Sequence, residues 1–166
     1  MKKGLIYVDI KKCLACKSCE IACAVQHSKS KNLREAIKEK PLPRSRIKVR
    51  GTSEMSIPLQ CRQCEEAPCV RICPTKAMIK SIDGIININH DLCIGCKWCV
   101  FVCPFGVIRM DNDNRMIIKC NLCIERLEKG EFPACVVSCP TKALKFESID
   151  DVASEKQENF LVEFKK

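Results

Sequence analysis

Sixteen of the 166 residues are cysteine, and they fall without remainder into four groups of four. The first is Cys13, Cys16, Cys19 and Cys23. The second is Cys61, Cys64, Cys69 and Cys73, the third Cys93, Cys96, Cys99 and Cys103, and the fourth Cys120, Cys123, Cys135 and Cys139. In a short chain, cysteine at this density usually builds the disulfide scaffold of an exported protein. Yet the apolar run after Lys2 and Lys3 is only Leu5 to Val8 before Asp9 interrupts it, too short for the core of a signal peptide. No apolar stretch approaches the roughly 20 residues of a membrane span. The expectation is a cytoplasmic chain without a membrane span, in which the sulfur serves metal binding.

The spacing narrows the choice of metal. The first and third groups read C-x2-C-x2-C-x3-C, the run of bacterial ferredoxins. The second group widens one gap, and the fourth inserts eleven residues before its third cysteine. Cysteines three apart in a loop wrap their sulfurs around three corners of a small cubic cluster. In the ferredoxin run the fourth cysteine ligates the neighbouring cluster. Pro74, Pro104 and Pro140 directly follow the last cysteine of three groups, and Ala24 stands there in the first. Proline suits an exit, because it fixes its own backbone and disfavours helix in the residue before it. The groups should therefore work in pairs. Zinc is the rival, since "CNLC…CVVSC" alone fits a four-cysteine zinc site. Zinc has no use for a third cysteine three residues after the second, nor for repeated Cys-Pro exits. Four [4Fe–4S] clusters, with all sixteen cysteines as iron ligands, are the expectation.

The formal charge of +9 looks at first like a nucleic-acid footprint. A [4Fe–4S] cluster with four cysteinates carries about −2 when oxidised, so four would bring the total to about +1. Tyr7 and Trp98 are the only Tyr and Trp, which leaves little for base stacking. No nucleic-acid partner is expected. His27 and His90 lie near cysteine groups, but sixteen cysteines fill sixteen ligand positions, so neither is needed on iron. Lys17, Lys97 and Trp98 sit between cysteines. They either tune a cluster or simply pack. No Ser–His–Asp set, Walker loop or G-x-G-x-x-G is present, and no catalytic residue is assigned.

Short β-rich pieces flank the groups. "GLIYVDI" leads into the first and "GIININHD" into the third, while "ALKFES" follows the fourth. "RIKVR" with "MSIPL", and "VIRM" with "MIIK" across "DNDN", read as hairpins. Helices are expected over 32–40, stopped by Pro41, and over 121–130, closed by Gly130. Segment 24–60 is rich in Lys and Arg. It reads as a solvated cover, with docking of a redox partner as the sharper alternative. In the tail, Ser148 should cap a helix with Asp150 and Asp151 in its first turn and Phe160 and Phe164 on one face. Its apolar residues either pack on the chain's own body or dock on a partner or a second copy. With apolar runs this short, the metal-free chain is expected to be largely unfolded.

Four groups in this order, with "CRQCEEAPC" second and "CNLCIERLEKGEFPACVVSCPTKAL" fourth, resemble the four-cluster subunits of dimethyl sulfoxide reductase, formate dehydrogenase and formate hydrogenlyase complexes. The likeness covers about residues 5–147. "CKSCEIACAVQHSKSKNL" followed by "PLPRSRIKV" is most similar to the small iron–sulfur proteins that accompany carbon monoxide dehydrogenase, with the small subunits of tungsten aldehyde oxidoreductases nearly as close. The resemblance implies an α+β fold of tandem ferredoxin-like two-cluster modules, the inner inserted into the outer. Residues 1–54 and 111–148 would form the outer module, 55–110 the inner one, and 149–166 a tail. It also implies a crossed ligand pattern. One cluster would use Cys13, Cys16, Cys19 and Cys139, and its neighbour Cys120, Cys123, Cys135 and Cys23. The inner pair would use Cys61, Cys64, Cys69 with Cys103, and Cys93, Cys96, Cys99 with Cys73. The implied role is a non-enzymatic electron-transfer subunit between a catalytic redox subunit, of the carbon monoxide dehydrogenase or tungsten aldehyde oxidoreductase type, and a downstream acceptor protein.

Overall fold

The first strand finds its partner at the far end of the chain. A computed structural model describes residues 4–111, 113 and 115–164. Strand β1 (Leu5–Val8) pairs antiparallel with β8 (Leu144–Glu147), Leu5 opposite Glu147 and Val8 opposite Leu144. Alternation decides which face is buried: Ile6, Leu144 and Phe146 turn inward. The other pairings are local. β2 (Lys48–Gly51) pairs with β3 (Ser56–Leu59), β4 (Met78–Lys80) with β5 (Ile86–Ile88), and β6 (Arg109–Met110) with β7 (Ile117–Ile118). Among the described residues all sheets are two-stranded. The two hairpins read from "RIKVR/MSIPL" and "VIRM/MIIK" are thus present, although Asn112 and Asn114 of the second turn lie outside the described residues. So do Lys2 and Lys3, and the final Lys165 and Lys166.

Helices are short except two. α1 (Ser18–Gln26) starts within the first cysteine group and carries Cys19 and Cys23 four residues apart on one buried face. Its neighbour in space is α6 (Ala134–Val137), which carries Cys135. α3 (Pro68–Arg71) and α4 (Trp98–Val102) carry Cys69 and Cys99 and pack on each other. The third cysteine of every group therefore sits in a helical turn, where the spacing alone predicts loop.

The helix expected over 32–40 is one turn, α2 (Leu33–Ala36), capped by Asn32. It ends early because the Glu39 carboxylate accepts from the backbone of Lys29 and Ser30 and from the Ser30 hydroxyl, at 3.1, 2.9 and 2.7 Å. The helix expected over 121–130 is α5 (Ile124–Glu128), with Gly130 just beyond its end at φ +75°. α7 (Ile149–Glu163) opens with a capping box between Ser148 and Asp151. Lys145 bonds to Glu155 at 2.5 Å, and the Lys156 ammonium lies 5.7 Å from the Tyr7 ring centre. The first part of α7 is thereby fastened to β1 and β8. The Phe160 and Phe164 rings meet at a tilt of 56° with centres 4.8 Å apart but stay exposed. Among the described residues no helix is long and apolar enough to cross a membrane.

Two buried clusters of side chains divide the interior. One gathers Ile6, Ile47, Leu144 and Phe146 around Cys19, Cys23, Cys61, Cys120, Cys135 and Cys139. The other gathers Met78, Ile86, Ile108 and Ile117 around Cys69 and Cys99. Cysteine side chains are part of both clusters, beside the aliphatic ones.

Candidate metal centres

Local backbone conformation turns the cysteine loops inward. Ala15, Lys17, Gln63, Lys76, Lys97, Leu122, Cys123 and Lys142 all have left-handed φ values between 51° and 67°. Apart from Lys31 they are the described non-glycine residues that do so, and each lies inside a cysteine group or just after one. Left-handed residues turn successive N–H groups toward one side, which makes a concavity suited to negative charge. Gly95, between Cys93 and Cys96, has φ +67°, and an added Cβ there would meet the Arg115 carbonyl at 2.6 Å. Only glycine fits so close an approach.

All sixteen thiols are free. Their neighbours cross between groups. The Cys16 thiol is pulled down by Ser18, while charge on Cys139 of the fourth group acts against that. Burial pushes Cys19 up to about 11, with Cys16 and Cys13 adding to it. Cys120 is pushed by burial to about 12, and Cys23 and Cys123 are among its charged neighbours. Burial lifts Cys135 well above its ordinary value, aided by Cys120, Cys23 and Cys123. Cys69 is raised by burial together with Cys61, Cys103 and Cys64. Cys99, raised by burial to about 11, has Cys96, Cys93 and Cys73 among its neighbours. One cavity is lined by Cys93, Cys96 and Cys99 of the third group and Cys73 of the second, with Met78, Ile88 and Trp98.

The thiols raised by burial, Cys19, Cys69, Cys99, Cys120 and Cys135, resist ionisation in the metal-free protein. Iron ligation supplies the positive charge that a buried thiolate needs and releases the protons. Free thiols beside concave backbone loops, nine of the sixteen buried, fit the chemistry of [4Fe–4S] clusters, each held by four cysteine thiolates.

Hydrogen bonds to sulfur complete the sites. Arg46 N–H donates to Cys23 Sγ at 3.2 Å and Leu122 N–H to Cys120 Sγ at 3.4 Å. Thr75 Oγ1 lies 3.8 Å from Cys73 Sγ, and Thr141 Oγ1 lies 3.7 Å from Cys139 Sγ. Burial works against the Cys73 and Cys139 thiolates. The N–H groups of Met78 and Ala77 with Thr75, and of Leu144 and Ala143 with Thr141, outweigh it and lower both thiols. Sequence reasoning misses these threonines, although the repeat of "CPTKA" at 73–77 and 139–143 is a signal that could find them.

His27 ends α1 with Nε2 4.0 Å from Cys123 Sγ, close to a sulfur as expected of a neighbouring residue. His90 is exposed in the 3-10 turn before Cys93. Lys17 and Lys97 are the left-handed residues that start α1 and α4, and Trp98 remains 57% exposed. Most cations of the basic segment 24–60 are exposed, as expected of a solvated cover, and some of its side chains tie it to the rest of the chain. Lys31 pairs with Glu125 at 2.6 Å, Lys48 with Glu20 at 2.7 Å, and Arg44 donates to the Met110 carbonyl at 2.8 Å.

Residues 53–149 match the family described as "4Fe-4S dicluster domain". Over 158 residues the chain is 43% identical to an "Iron-sulfur protein" of Rhodospirillum rubrum, spanning 88% of this chain and 83% of that one. It is 35% identical over 152 residues to the thiosulfate reductase electron transfer subunit PhsB of Salmonella typhi, spanning 86% and 74%. It is 38% identical over 154 residues to the electron transport protein HydN of Escherichia coli, spanning 84% and 85%. With a family match across more than half its length, the chain belongs to the 4Fe-4S dicluster family, as a ferredoxin-like electron-transfer protein carrying four [4Fe–4S] clusters.

Proposed function

We propose that the sixteen cysteines hold their clusters in crossed sets and that the chain is the electron-transfer subunit of a carbon monoxide dehydrogenase type of enzyme. The sets are Cys13, Cys16, Cys19 with Cys139; Cys120, Cys123, Cys135 with Cys23; Cys61, Cys64, Cys69 with Cys103; and Cys93, Cys96, Cys99 with Cys73. The observation that carries this reading is the mixed company of the fourth cysteines. Cys73 lines one cavity with Cys93, Cys96 and Cys99. Cys23 likewise acts on Cys120, Cys123 and Cys135. In this reading residues 55–110 form an inner two-cluster module, inserted between the two parts of an outer one at 1–54 and 111–148.

When bound, the clusters accept and release single electrons. The chain's own residues hold the thiolates, exclude water around Cys19, Cys23, Cys120 and Cys135, and direct N–H groups at sulfur. These are the protein's levers on potential. Catalysis stays with the partner, and a second acceptor protein receives the electrons.

The carbon monoxide dehydrogenase assignment rests on the stretch "CKSCEIACAVQHSKSKNL" with "PLPRSRIKV". A tungsten aldehyde oxidoreductase, a formate dehydrogenase or a hydrogenase complex is the second reading. The similarity to subunits named for thiosulfate reductase, and to HydN, also keeps a reductase partner in view. Anaerobic purification from the native host tests both levels. The protein should be brown, hold about sixteen iron atoms per chain, and bring down a large catalytic subunit whose identity decides the partner. Stoichiometric zinc with little iron would end the reading.

A further inference from the structure

Lys119 is buried, cationic and without a carboxylate. It is 2% exposed, and no ion pair among the described residues includes it. Its ammonium donates to the carbonyls of Ile86 and Cys120, the second at 2.7 Å. Carbonyl dipoles solvate such a charge without neutralising it, and an unpaired buried ammonium is costly. The opposite charge available to it is sulfur. Burial raises both Cys69 and Cys120, and Lys119 is among the charges that oppose this at each. In the proposed crossed sets those two cysteines belong to different clusters, so the role assigned to Lys119 rests on that reading.

A merely structural role is already filled. Gln63 bridges the same two residues, its Nε2 donating to the Cys120 carbonyl at 3.1 Å and its Oε1 accepting from Ile86 N–H at 2.8 Å. The chain also contains a neutral counterpart. Gln60 precedes Cys61 as Lys119 precedes Cys120, and it too is buried, at 1% exposure. Its Nε2 donates to the carbonyl of Ile6 in β1 at 3.2 Å, as Lys119 donates to Ile86 in β5. An amide therefore suffices at one crossing between the β1–β8 and β4–β5 halves, whereas the other crossing carries a full charge.

We propose that Lys119 is a fixed positive charge placed between the two clusters that meet at this junction, and that it raises the potential of both relative to the two outlying ones. Reduction adds one negative charge to a cluster, and a nearby ammonium favours that state. Lys119 itself carries no electron.

The test is Lys119→Gln, which keeps an amide donor and removes the charge. Iron per chain and the midpoint potentials are read together, by anaerobic redox titration followed by electron paramagnetic resonance. With iron at the wild-type level, two of the four potentials should fall. The expected shift is tenfold or more in the oxidised-to-reduced ratio, about 59 mV for one electron, and Lys119→Arg should restore it. Unmoved potentials at full iron content overturn the proposal, as does an equal shift of all four. If Lys119→Gln loses iron, Gln60→Lys decides. It should raise the potential of the cluster beside Cys61, and either no rise or failure to load overturns the proposal. Failure of the crossed sets would show separately, in the wild-type iron content and in which signal Cys139→Ser and Cys73→Ser each lose.

Discussion

Asp9 and Asn89 occupy matching places in two halves of the molecule. Each caps a 3-10 turn that delivers a cysteine, and each backbone N–H donates to an alanine carbonyl at 2.8 Å, Ala143 for Asp9 and Ala77 for Asn89. Lys17 and Lys97 then open α1 and α4 in the same left-handed conformation. The "CPTKA" exits repeat as well, down to the threonine beside the sulfur. The halves differ in how the chain closes them. β4 and β5 are joined by a short turn, whereas β1 and β8 come from opposite ends of the chain. They also differ in cover. Cys13 and Cys93 are half-buried and Cys16 and Cys96 exposed in both, but Cys23, Cys123 and Cys139 in the β1–β8 half are buried while their counterparts Cys103, Cys64 and Cys73 in the β4–β5 half are half-buried. One sulfur-holding unit thus serves in two settings, and its surroundings decide the burial of each site.

Removing the iron should separate the halves most widely. Closing β1 on β8 costs more loop entropy than closing the β4–β5 turn, and the metal supplies much of the compensating energy. After anaerobic chelation, hydrogen exchange should show complete loss of protection in Leu5–Val8 and Leu144–Glu147, with partial protection surviving in Met78–Lys80 and Ile86–Ile88. Equal loss in both would break the comparison.

Cysteine variants come next. Cys139→Ser and Cys73→Ser should each cost the chain up to about four iron atoms. The signal lost in Cys139→Ser should be the one lost in Cys13→Ser, and the signal lost in Cys73→Ser the one lost in Cys93→Ser. If Cys139→Ser instead matches Cys120→Ser, each group keeps its own four ligands and the crossed sets are wrong.

A smaller effect is expected from the two threonines. Thr75→Val and Thr141→Val each remove a hydroxyl that lowers the neighbouring thiol. Each should lower one midpoint potential by less than about 59 mV, read by redox titration. Similar shifts would confirm that the exits are equivalent, and a shift in only one would limit that equivalence to shape.

The smallest effect belongs to one half alone. Glu20 in α1 accepts from Val49 N–H and Lys48 Nζ, both at 2.7 Å, and so fastens β2 over the β1–β8 half. Burial tends to raise its carboxyl, but Lys48 and Val49 outweigh that and hold it below its ordinary 4.5. The ionised form is thus favoured by folding. Its contribution is present in full above that ordinary value and is lost as pH falls through the depressed one. Glu20→Gln should cost about 1–2 kcal/mol at neutral pH. The difference in urea midpoint from wild type should shrink in acid, and a pH-independent difference would sink this account.

The chemistry of this chain is legible in its residues alone. Cysteine at fixed intervals, with proline at the exits, permits few uses, and local rules are enough for the hairpins at Lys48–Leu59 and Arg109–Ile118 and for the capped start of α7. Those rules depend on neighbours along the chain, which a sequence displays. Neighbours in space lie beyond them. Strand β1 has no local partner and pairs with β8. The third cysteines become helical because α1 packs on α6 and α3 on α4. Lys119, Gln60 and Gln63 look like ordinary surface residues beside cysteines, yet all three are buried, because the opposite half of the molecule covers them. Burial and charge placement are set by segments far away in sequence, and only the folded chain brings those segments together.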